Sequence, residues 1–501
     1  MPEIELKFGV QERDRQRVAR SAALAGTRPL RRRLTTLYLD TADRTLWKRG
    51  MALRLRRVGS RWVQSLKGGR SGRGGLHRRE EWEFDRPDAS IDLSLFADTP
   101  LAVVPDAAHL HERLAVAFAV DVERTAWIVS RPRGARLEVA LDVGEVAGGG
   151  RAEPISELEI ECLEGGVGAA FDLASRLLDE VPLRASAVSK AERGWRVSRG
   201  EAARPVKARC VALAASMPLS RAAREIVGAA LEQLQANEEG VLHGADPEFV
   251  HQARVALRRL RSALRMLRGA VGRERSRAWR KELSRLSRAL GVARDWDVFA
   301  LATLPPILGE AGAGELAGRL AAAAKRRAMR ERRRAAQSLL GPGYARSLLA
   351  ISRWVAAADV ERAADEEPLA RFAARVLAKR HRRVLARGRD FARLDAAGRH
   401  RLRIEAKRLR YGVDGLSSLF PSQRTARYRR VLCELQDALG EANDAVTAAR
   451  LVAQLDAPPP VVRFARSRFA SAARVRAGPV AGLLRRLRDI GAPGSRDGPG
   501  A

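Results

Sequence analysis

The 501-residue chain sets 93 lysines and arginines against 59 acidic residues, a formal net charge of +34, so an anionic partner is the first expectation. No run of about 18 apolar residues is present to span a bilayer, and three distant cysteines offer no disulfide framework. Aromatic residues make up only 5%, which argues against specific nucleic-acid recognition and leaves non-specific backbone attraction at low salt.

The first element is Glu3-Ile4-Glu5-Leu6-Lys7. Strict alternation predicts a β-strand with two carboxylates and an ammonium on one face and Ile4, Leu6 and Phe8 on the other. A charged strand here is not a signal sequence, and a cytoplasmic protein without membrane insertion is expected. A helix is expected over 11–25. Leu53-Arg54-Leu55-Arg56 repeats the alternation with two arginines, and Glu81 and Glu83 alternate with Trp82 and Phe84. Glu138 and Asp142 alternate with Leu137, Val139 and Leu141, and Glu157, Glu159 and Glu161 with Leu158, Ile160 and Cys162. Turn-rich stretches at Gly59-Ser60, 68–75 and 148–150 separate these runs, as an antiparallel meander requires. One such strand is commonly a solvated face. Five of them suggest a closed barrel with charged faces inward and apolar faces covered by helices such as 11–25 and 168–181. The glycine-rich stretch 68–75 lacks the Gly-Lys-Ser/Thr ending of a P-loop and reads as a flexible hairpin loop.

Glu3-x-Glu5-x-Lys7 resembles the ExExK signature of the CYTH superfamily, the triphosphate tunnel metalloenzymes. Matching segments follow in order: Tyr38-Leu-Asp-Thr-x-Asp43, Leu53-Arg-Leu-Arg56, Gln64-Ser-Leu-Lys67, Gly75-Leu-His-x-Arg-x-Glu81, Arg124, Ala140-Leu-Asp142, Ser156 to Glu161, and Ser189-Lys190-x-x-Arg193. The resemblance covers 1–200 and implies a tunnel whose cations are Lys7, Arg54, Arg56, Lys67, Arg124 and Lys190. Its anions are Glu3, Glu5, Glu81, Glu138, Asp142, Glu157, Glu159 and Glu161. Six cations against eight anions leave the lumen negative, and two divalent ions turn it attractive to a polyanion. Hard carboxylate oxygens suit Mg²⁺ or Mn²⁺, and Glu3, Glu5, Glu157 and Glu159 are the implied ligands. Lys7, Arg54, Arg56, Lys67, Glu81, Arg124, Glu138, Asp142 and Lys190 form the implied catalytic set. The implied activity is metal-dependent hydrolysis of inorganic triphosphate. Adenylate cyclase and thiamine triphosphatase activities occur in the same family, and a purely binding role is the non-catalytic alternative. Only nine of the basic residues are lysines, yet Lys7, Lys67 and Lys190 fall on these motifs and Lys407 on another described next.

Residues 1–200 carry 34 basic and 29 acidic residues, so nearly all the excess positive charge lies beyond them. A linker is expected over 201–215, around Pro205. From Ser216 the apolar period becomes 3.6, broken at Pro247, Pro305-Pro306, Gly341-Pro342-Gly343, Pro368, Pro421 and Pro458 to Pro460. His251, Arg254, Arg258 and Arg261 form one helical stripe, and a shift of 149 residues repeats it as His400, Arg403, Lys407 and Arg410. The same shift carries Asp295 onto Asp444 and Leu290-Gly291 onto Leu439-Gly440. This is a duplicated helical unit, expected to form a pseudo-twofold bundle. The residues resemble the CHAD domain, a helical module that binds inorganic polyphosphate. The match runs over about 210–490 and includes the cluster Lys379-Arg-His381-Arg-Arg383. Polyphosphate contacts are therefore expected at both stripes and at Lys379 and His381, with association with polyphosphate granules. Asp297 and Asp444 are expected to orient the basic side chains or pair across the bundle. The expected fold class is α+β multidomain: a tunnel barrel over 1–200, a helical bundle with an internal repeat over 216–490, and a disordered tail over 491–501.

Overall fold

The computed structural model describes residues 2–69, 72–73, 76–105, 109–131, 134–310, 314–357, 367–455, 458–477 and 479–494. The chain forms two compact units, one of Met1–Arg204 with Leu340–Ala357 and one of Pro205–Leu339 with Ala358–Ala501. No helix among the described residues is long and apolar enough to cross a membrane.

The first unit is built on β1 Pro2–Val10, β2 Leu30–Asp40, β3 Ala52–Val58, β4 Arg61–Gly68, β5 Gly72–Arg73, β6 Leu76–Arg86, β7 Ala115–Arg131, β8 Ala135–Gly148, β9 Arg151–Glu164 and β10 Leu183–Ala185. The order is β10-β1-β9-β8-β7-β2-β3-β4-β6-β5, and the extra pairing of β1 with β6 closes an eight-stranded antiparallel barrel. Register puts Glu5 opposite both His77 of β6 and Glu161 of β9, so the charged row of the first strand sits at the closing seam. The expected barrel with inward charges is what forms. Of the expected hairpin loop 68–75, residues 70, 71, 74 and 75 lie outside the described residues.

Short helices α1 Arg15–Ala19, α2 Thr45–Lys48 and α3 Leu110–Arg113 decorate the barrel, followed by α4 Val167–Glu180 and α5 Lys190–Arg199. The helix expected over 11–25 is instead α1 between two 3₁₀ turns. Ser21 turns extended there and its hydroxyl accepts the Ala23 N–H, starting a new turn and ending the helix. Helix α4 packs on the outward rows of β1 and β9, where Leu6, Phe8, Leu158 and Ile160 are buried. Leu53 and Leu66 are covered by Phe96, Leu101, Val104 and Leu110 from the excursion after β6. Inside the barrel, Ala191 and Val197 of α5 pack on Tyr38, Phe118, Val120, Val122, Val146 and Ile155. Those strand residues share the inward face with Arg124, Asp142 and Glu157, so α5 fills one end of the lumen.

In the second unit α6 Leu219–His243, α7 Pro247–Met266, α8 Arg268–Val271, α9 Arg273–Val298, a π-helical turn Phe299–Thr303, α10 Leu304–Glu310 and α11 Gly314–Leu339 form the first half. Next, α12 Pro342–Ala356 belongs to the first unit, packing on α4 and β10 with ion pairs Arg346–Asp179 (3.1 Å) and Arg353–Asp172. The second half comprises α13 Leu369–Gly388, α14 Ala396–Leu416, α15 Ser422–Val452, α16 Pro459–Ala477 and α17 Val480–Ile490. Pro305-Pro306 does not break the chain direction: both prolines fall in the first turn of α10, where an N–H is dispensable. The repeat-related apolar sets Leu257, Leu260 and Leu264 and Ala406, Leu409 and Val413 are all fully buried. From Pro205 the expected linker is already docked in this unit: Val206 and Asn237 exchange two hydrogen bonds of 2.9 Å, and Val211 and Leu213 are buried. In the expected tail, Ala492 is buried and Gly494 meets Phe420, while 495–501 lie outside the described residues.

A Cβ at Gly194 would stand 2.1 Å from the Phe118 ring, so this position of α5 admits no side chain without moving the plug. Gly194→Val is expected to cost roughly 1–3 kcal/mol or more by overpacking, read as a lowered thermal midpoint of the full chain.

Candidate functional site

The lumen of the first unit holds a cavity of about 320 Å³ whose lining is almost entirely polar in residue type. Strand parity delivers the side chains: Glu3, Glu5 and Lys7 from β1, Arg54 and Arg56 from β3, Lys67 from β4, Glu81 from β6, Arg124 from β7, Glu138 from β8, and Glu159 and Glu161 from β9. Lys190 enters as the first residue of α5, whose N-cap Ser189 accepts the Glu192 N–H. Asp142 and Glu157 stand behind Lys190 rather than on the cavity wall. Lining residues absent from the expected set include the ionisable Arg32, Tyr38, Arg79 and Glu83. Arg79 and Glu83 share parity with Glu81, so the strand period carries that signal, whereas Arg32 is selected by the register of β2.

Most of these charges are matched. Lys67 donates to Glu3 at 2.6 Å and lies 3.1 Å from Glu81, which also accepts from Arg54 at 2.5 Å. Lys7 stands 3.1 Å from Glu5 and 2.9 Å from Glu159. Arg124 grips Asp142 with two hydrogen bonds of 2.7 Å and reaches Glu159 at 2.7 Å. Lys190 lies 2.8 Å from both Asp142 and Glu159 and also pairs with Glu157. Burial would push the Lys7 and Lys190 ammonium pKa values down, but Glu159 with Glu5 and Asp142 with Glu157, respectively, outweigh it and hold both above the ordinary lysine value. Burial likewise favours the neutral Glu159, yet Lys190 and Lys7 keep it well below the ordinary carboxylate range. The depressed carboxylates contribute stability that is lost as pH falls, and the raised lysines contribute stability that is lost as pH rises, so the network is intact between those limits.

Among the cavity residues not matched by an ion pair are Arg56 and Glu161. Arg56 has Thr36 Oγ1 at 3.2 Å as its side-chain acceptor, and burial with the fields of Arg54 and Arg124 pulls its pKa down to about 10. Glu161 is pushed up to about 7 by burial and by Glu3 and Glu5. Among the described residues neither Arg56 nor Glu161 forms an ion pair, and the field of Lys67 offsets only part of the rise at Glu161. Among the described residues, Asp142, Glu157 and Glu159 can each bring one oxygen within 4.8 Å of the others, an all-carboxylate set whose chemistry fits a hard divalent ion. Of the four expected metal ligands, Glu157 and Glu159 join that group. Glu3 and Glu5 lie near Glu161 instead and are paired with Lys67 and Lys7.

In the second unit a cavity of about 150 Å³ lies between the two repeats. Helix α7 contributes His251, Arg254 and Arg258, α14 contributes Arg403 and Lys407, α9 contributes Arg294 and Asp295, and α15 contributes Asp444. Its ion pairs obey the repeat: Arg254–Asp295 at 3.4 Å answers Arg403–Asp444 at 3.8 Å. Arg261 donates to Ser287 at 3.0 Å and Arg410 to Gln436 at 3.2 Å, again repeat-related, but neither arginine lines the cavity. The two histidines of the stripes diverge, because His251 lines the cavity whereas His400 is exposed away from it. Of the two roles expected for Asp297, the structure has the ion pair between helices: its carboxylate accepts from Arg332 of α11 at 2.7 Å, outside the stripe. His381 is also corrected, since its ring is buried with Nδ1 2.8 Å from the Tyr428 hydroxyl, and burial lowers its pKa; Lys379 is exposed.

A closed eight-stranded barrel with a charged lumen, beside an all-helical unit with a basic cavity, defines the class. A CYTH domain matches residues 1–195 and a CHAD domain residues 225–453. The chain belongs to the CHAD-domain family, with a CYTH domain ahead of that module. The crystal structure of the CHAD domain from the plant Ricinus communis is 34% identical with a TM-score of 0.52, covering 58% of this chain and 99% of that one. An inorganic triphosphatase of Haemophilus influenzae is 31% identical over 164 residues, 32% of this chain and 45% of that protein. The chain thus spans less than half the length of that curated relative. A putative adenylyl cyclase from Hippeastrum with a dominant triphosphatase activity is 21% identical with a TM-score of 0.30, over 40% of this chain and 97% of that one.

Removing the Lys190 ammonium leaves Asp142, Glu157 and Glu159 buried together without it. Lys190→Met is expected to cost about 3–5 kcal/mol at neutral pH, read by chemical denaturation, and Mn²⁺ should restore part of the loss by standing in for the ammonium. A variant as stable as its parent would show that Lys190 neutralises nothing.

Proposed function

We propose that the barrel hydrolyses inorganic triphosphate with the help of a divalent metal, Mg²⁺ or Mn²⁺ and two ions in all, in a cytoplasmic protein. The observation that carries this reading is the unmatched pair: Arg56 and Glu161, neither with an ion pair among the described residues, in one enclosed polar cavity. A phosphate chain beside Arg56, Arg54 and Lys67 meets the first need, and guanidinium groups suit bidentate phosphate contacts. Glu3, Glu5, Glu157 and Glu159, with Asp142 and Glu161 beside them, would hold the metal. When bound, the metal neutralises phosphate charge and acidifies water. Water adds to the terminal phosphorus as the bridging P–O bond breaks, so triphosphate leaves as pyrophosphate and orthophosphate. Glu138, loosely held 3.4 Å from Arg124, would take the proton from that water.

A second reading has one observation in its favour. A cavity of about 700 Å³ adjoins the tunnel at Arg32, Arg56, Arg124 and Glu138 and is lined also by Leu30, Leu34, Val58, Ala126 and Ile128. That half-apolar mouth could seat the organic part of a nucleoside or thiamine triphosphate. Among the described residues no aromatic ring lines it to stack on a base, and inorganic triphosphate remains the first reading.

For the second unit, we propose binding of inorganic polyphosphate, and through it association with polyphosphate granules. Support comes from the buried guanidinium Nε atoms of Arg254 and Arg403, a repeat-related pair on the cavity wall, neither of which makes a hydrogen bond among the described residues. A phosphate oxygen would satisfy such donors at about 1.5–3 kcal/mol each.

Glu5→Gln should lower phosphate release from tripolyphosphate by at least the 10–100-fold that loss of even an outer-shell metal partner costs, roughly, with the fold unchanged by circular dichroism. Chelation by EDTA should abolish release and weaken triphosphate binding; full activity under either condition would reject the metal tunnel. In a separate titration, replacing Arg254, Arg258 and Arg261 by Gln, or Arg403, Lys407 and Arg410, should weaken labelled long-chain polyphosphate far more than the exposed set Arg326, Arg330 and Arg333. Equal losses in all three would leave only a diffuse positive field.

A further inference from the structure

Lys407 is the one lysine among the cations of the helical cavity, and like Arg258 and Arg294 it has no ion pair among the described residues. Facing it are Arg254, Arg258 and His251 from α7, Arg294 and Asp295 from α9, Arg403 from its own helix α14, and Asp444 from α15. The π-helical turn adds only Phe299 and Thr303. Both acids are engaged by arginines, Asp295 by Arg254 at 3.4 Å and Asp444 by Arg403 at 3.8 Å. Among the described residues no carboxylate lies within ion-pair distance of Lys407. One ammonium thus shares a small cavity with four guanidinium groups and no counterion of its own.

We propose that this cavity binds its polyanion together with a proton taken up by Lys407, so that affinity for polyphosphate rises as pH falls through the neutral range. The proposal rests on the polyphosphate reading of the second unit. Burial, reinforced by Arg258, Arg403 and Arg254, pulls the free Lys407 amine down to about 6, so it is mostly neutral at physiological pH. Phosphate oxygens entering the cavity supply the missing negative charge and return the amine to its ammonium form. Arginine cannot respond in this way, because it stays protonated throughout. The retention of a lysine at 407, where the repeat-related position is Arg258, gives the two stripes different chemistry: one fixed cation and one that charges only when the ligand is present.

The sign follows from linkage. Binding that takes up one proton weakens as pH rises above the free-state value, by up to tenfold per pH unit. His251 is also depressed, by burial and Arg294, and would take up a proton in the same direction.

The test is calorimetric titration of the full chain with long-chain polyphosphate at fixed ionic strength from pH 5.5 to 9, in buffers of different ionisation enthalpy. The expected result is uptake of close to one proton per site near pH 8 and a roughly tenfold loss of affinity from pH 7 to 8, at the linkage limit. Lys407→Arg should bind with a much flatter pH profile and lose that proton. Uptake near zero in the parent protein, with binding intact, overturns the proton coupling and leaves the polyphosphate reading standing. A proton that persists in Lys407→Arg and disappears in His251→Gln overturns the assignment to Lys407. Absence of polyphosphate binding at every pH overturns both.

Discussion

The barrel depends on burying charge in matched sets. Asp142 and Lys190 are almost wholly enclosed, and a lone ion in such a place would cost several kcal/mol. The cost is met because Asp142 faces Arg124 and Lys190, and Glu159 faces Lys7, Arg124 and Lys190, all within hydrogen-bond reach. The closing pairing of β1 with β6 brings Glu3 and Lys67 together, so closure of the sheet and neutralisation of the lumen are one event. Apolar packing on the outside, from α4 and the excursion after β6, then holds a shell around a core that is ionic rather than oily.

The helical unit solves the opposite problem. Its cavity carries an excess of cations, relieved in part by Asp295 and Asp444, and its repeat-related arginines keep unsatisfied Nε donors. A tunnel that is nearly neutral and a cavity that is strongly positive ask for different ligands. The first needs an anion together with a cation, which is what a metal-bound phosphate chain is. The second needs an anion alone, and its positive field would attract any linear polyanion with a salt-dependent affinity.

Much of this was legible from residue order. A period of two with charge on one face identifies the lumen strands, because nothing else gives Glu3, Glu5 and Lys7 a common side. A shift of 149 residues identifies the paired stripes and, with them, the Arg254–Asp295 and Arg403–Asp444 pairs. What was not legible depends on contacts far apart in sequence. Arg32 lies in a run of three arginines, where only the strand's register selects the inward one. Asp297 looks equivalent to other acids of its segment until Arg332 of α11 is seen against it. His381 reads as part of a basic cluster because its neighbours in sequence are basic, yet the helix face it occupies is the apolar one that meets Tyr428. Helix α12 has an ordinary amphipathic pattern, and no pattern states which unit its apolar face will meet.

The account centres on a tunnel that takes a bare phosphate chain with metal. The direct measurement is phosphate release by the full chain from tripolyphosphate, ATP, thiamine triphosphate and long-chain polyphosphate, each with Mg²⁺ and with Mn²⁺. The account predicts that tripolyphosphate is turned over fastest and yields one orthophosphate and one pyrophosphate. Fastest turnover of an organic triphosphate would move the specificity to the half-apolar mouth, and no release from any of the four would contradict the account.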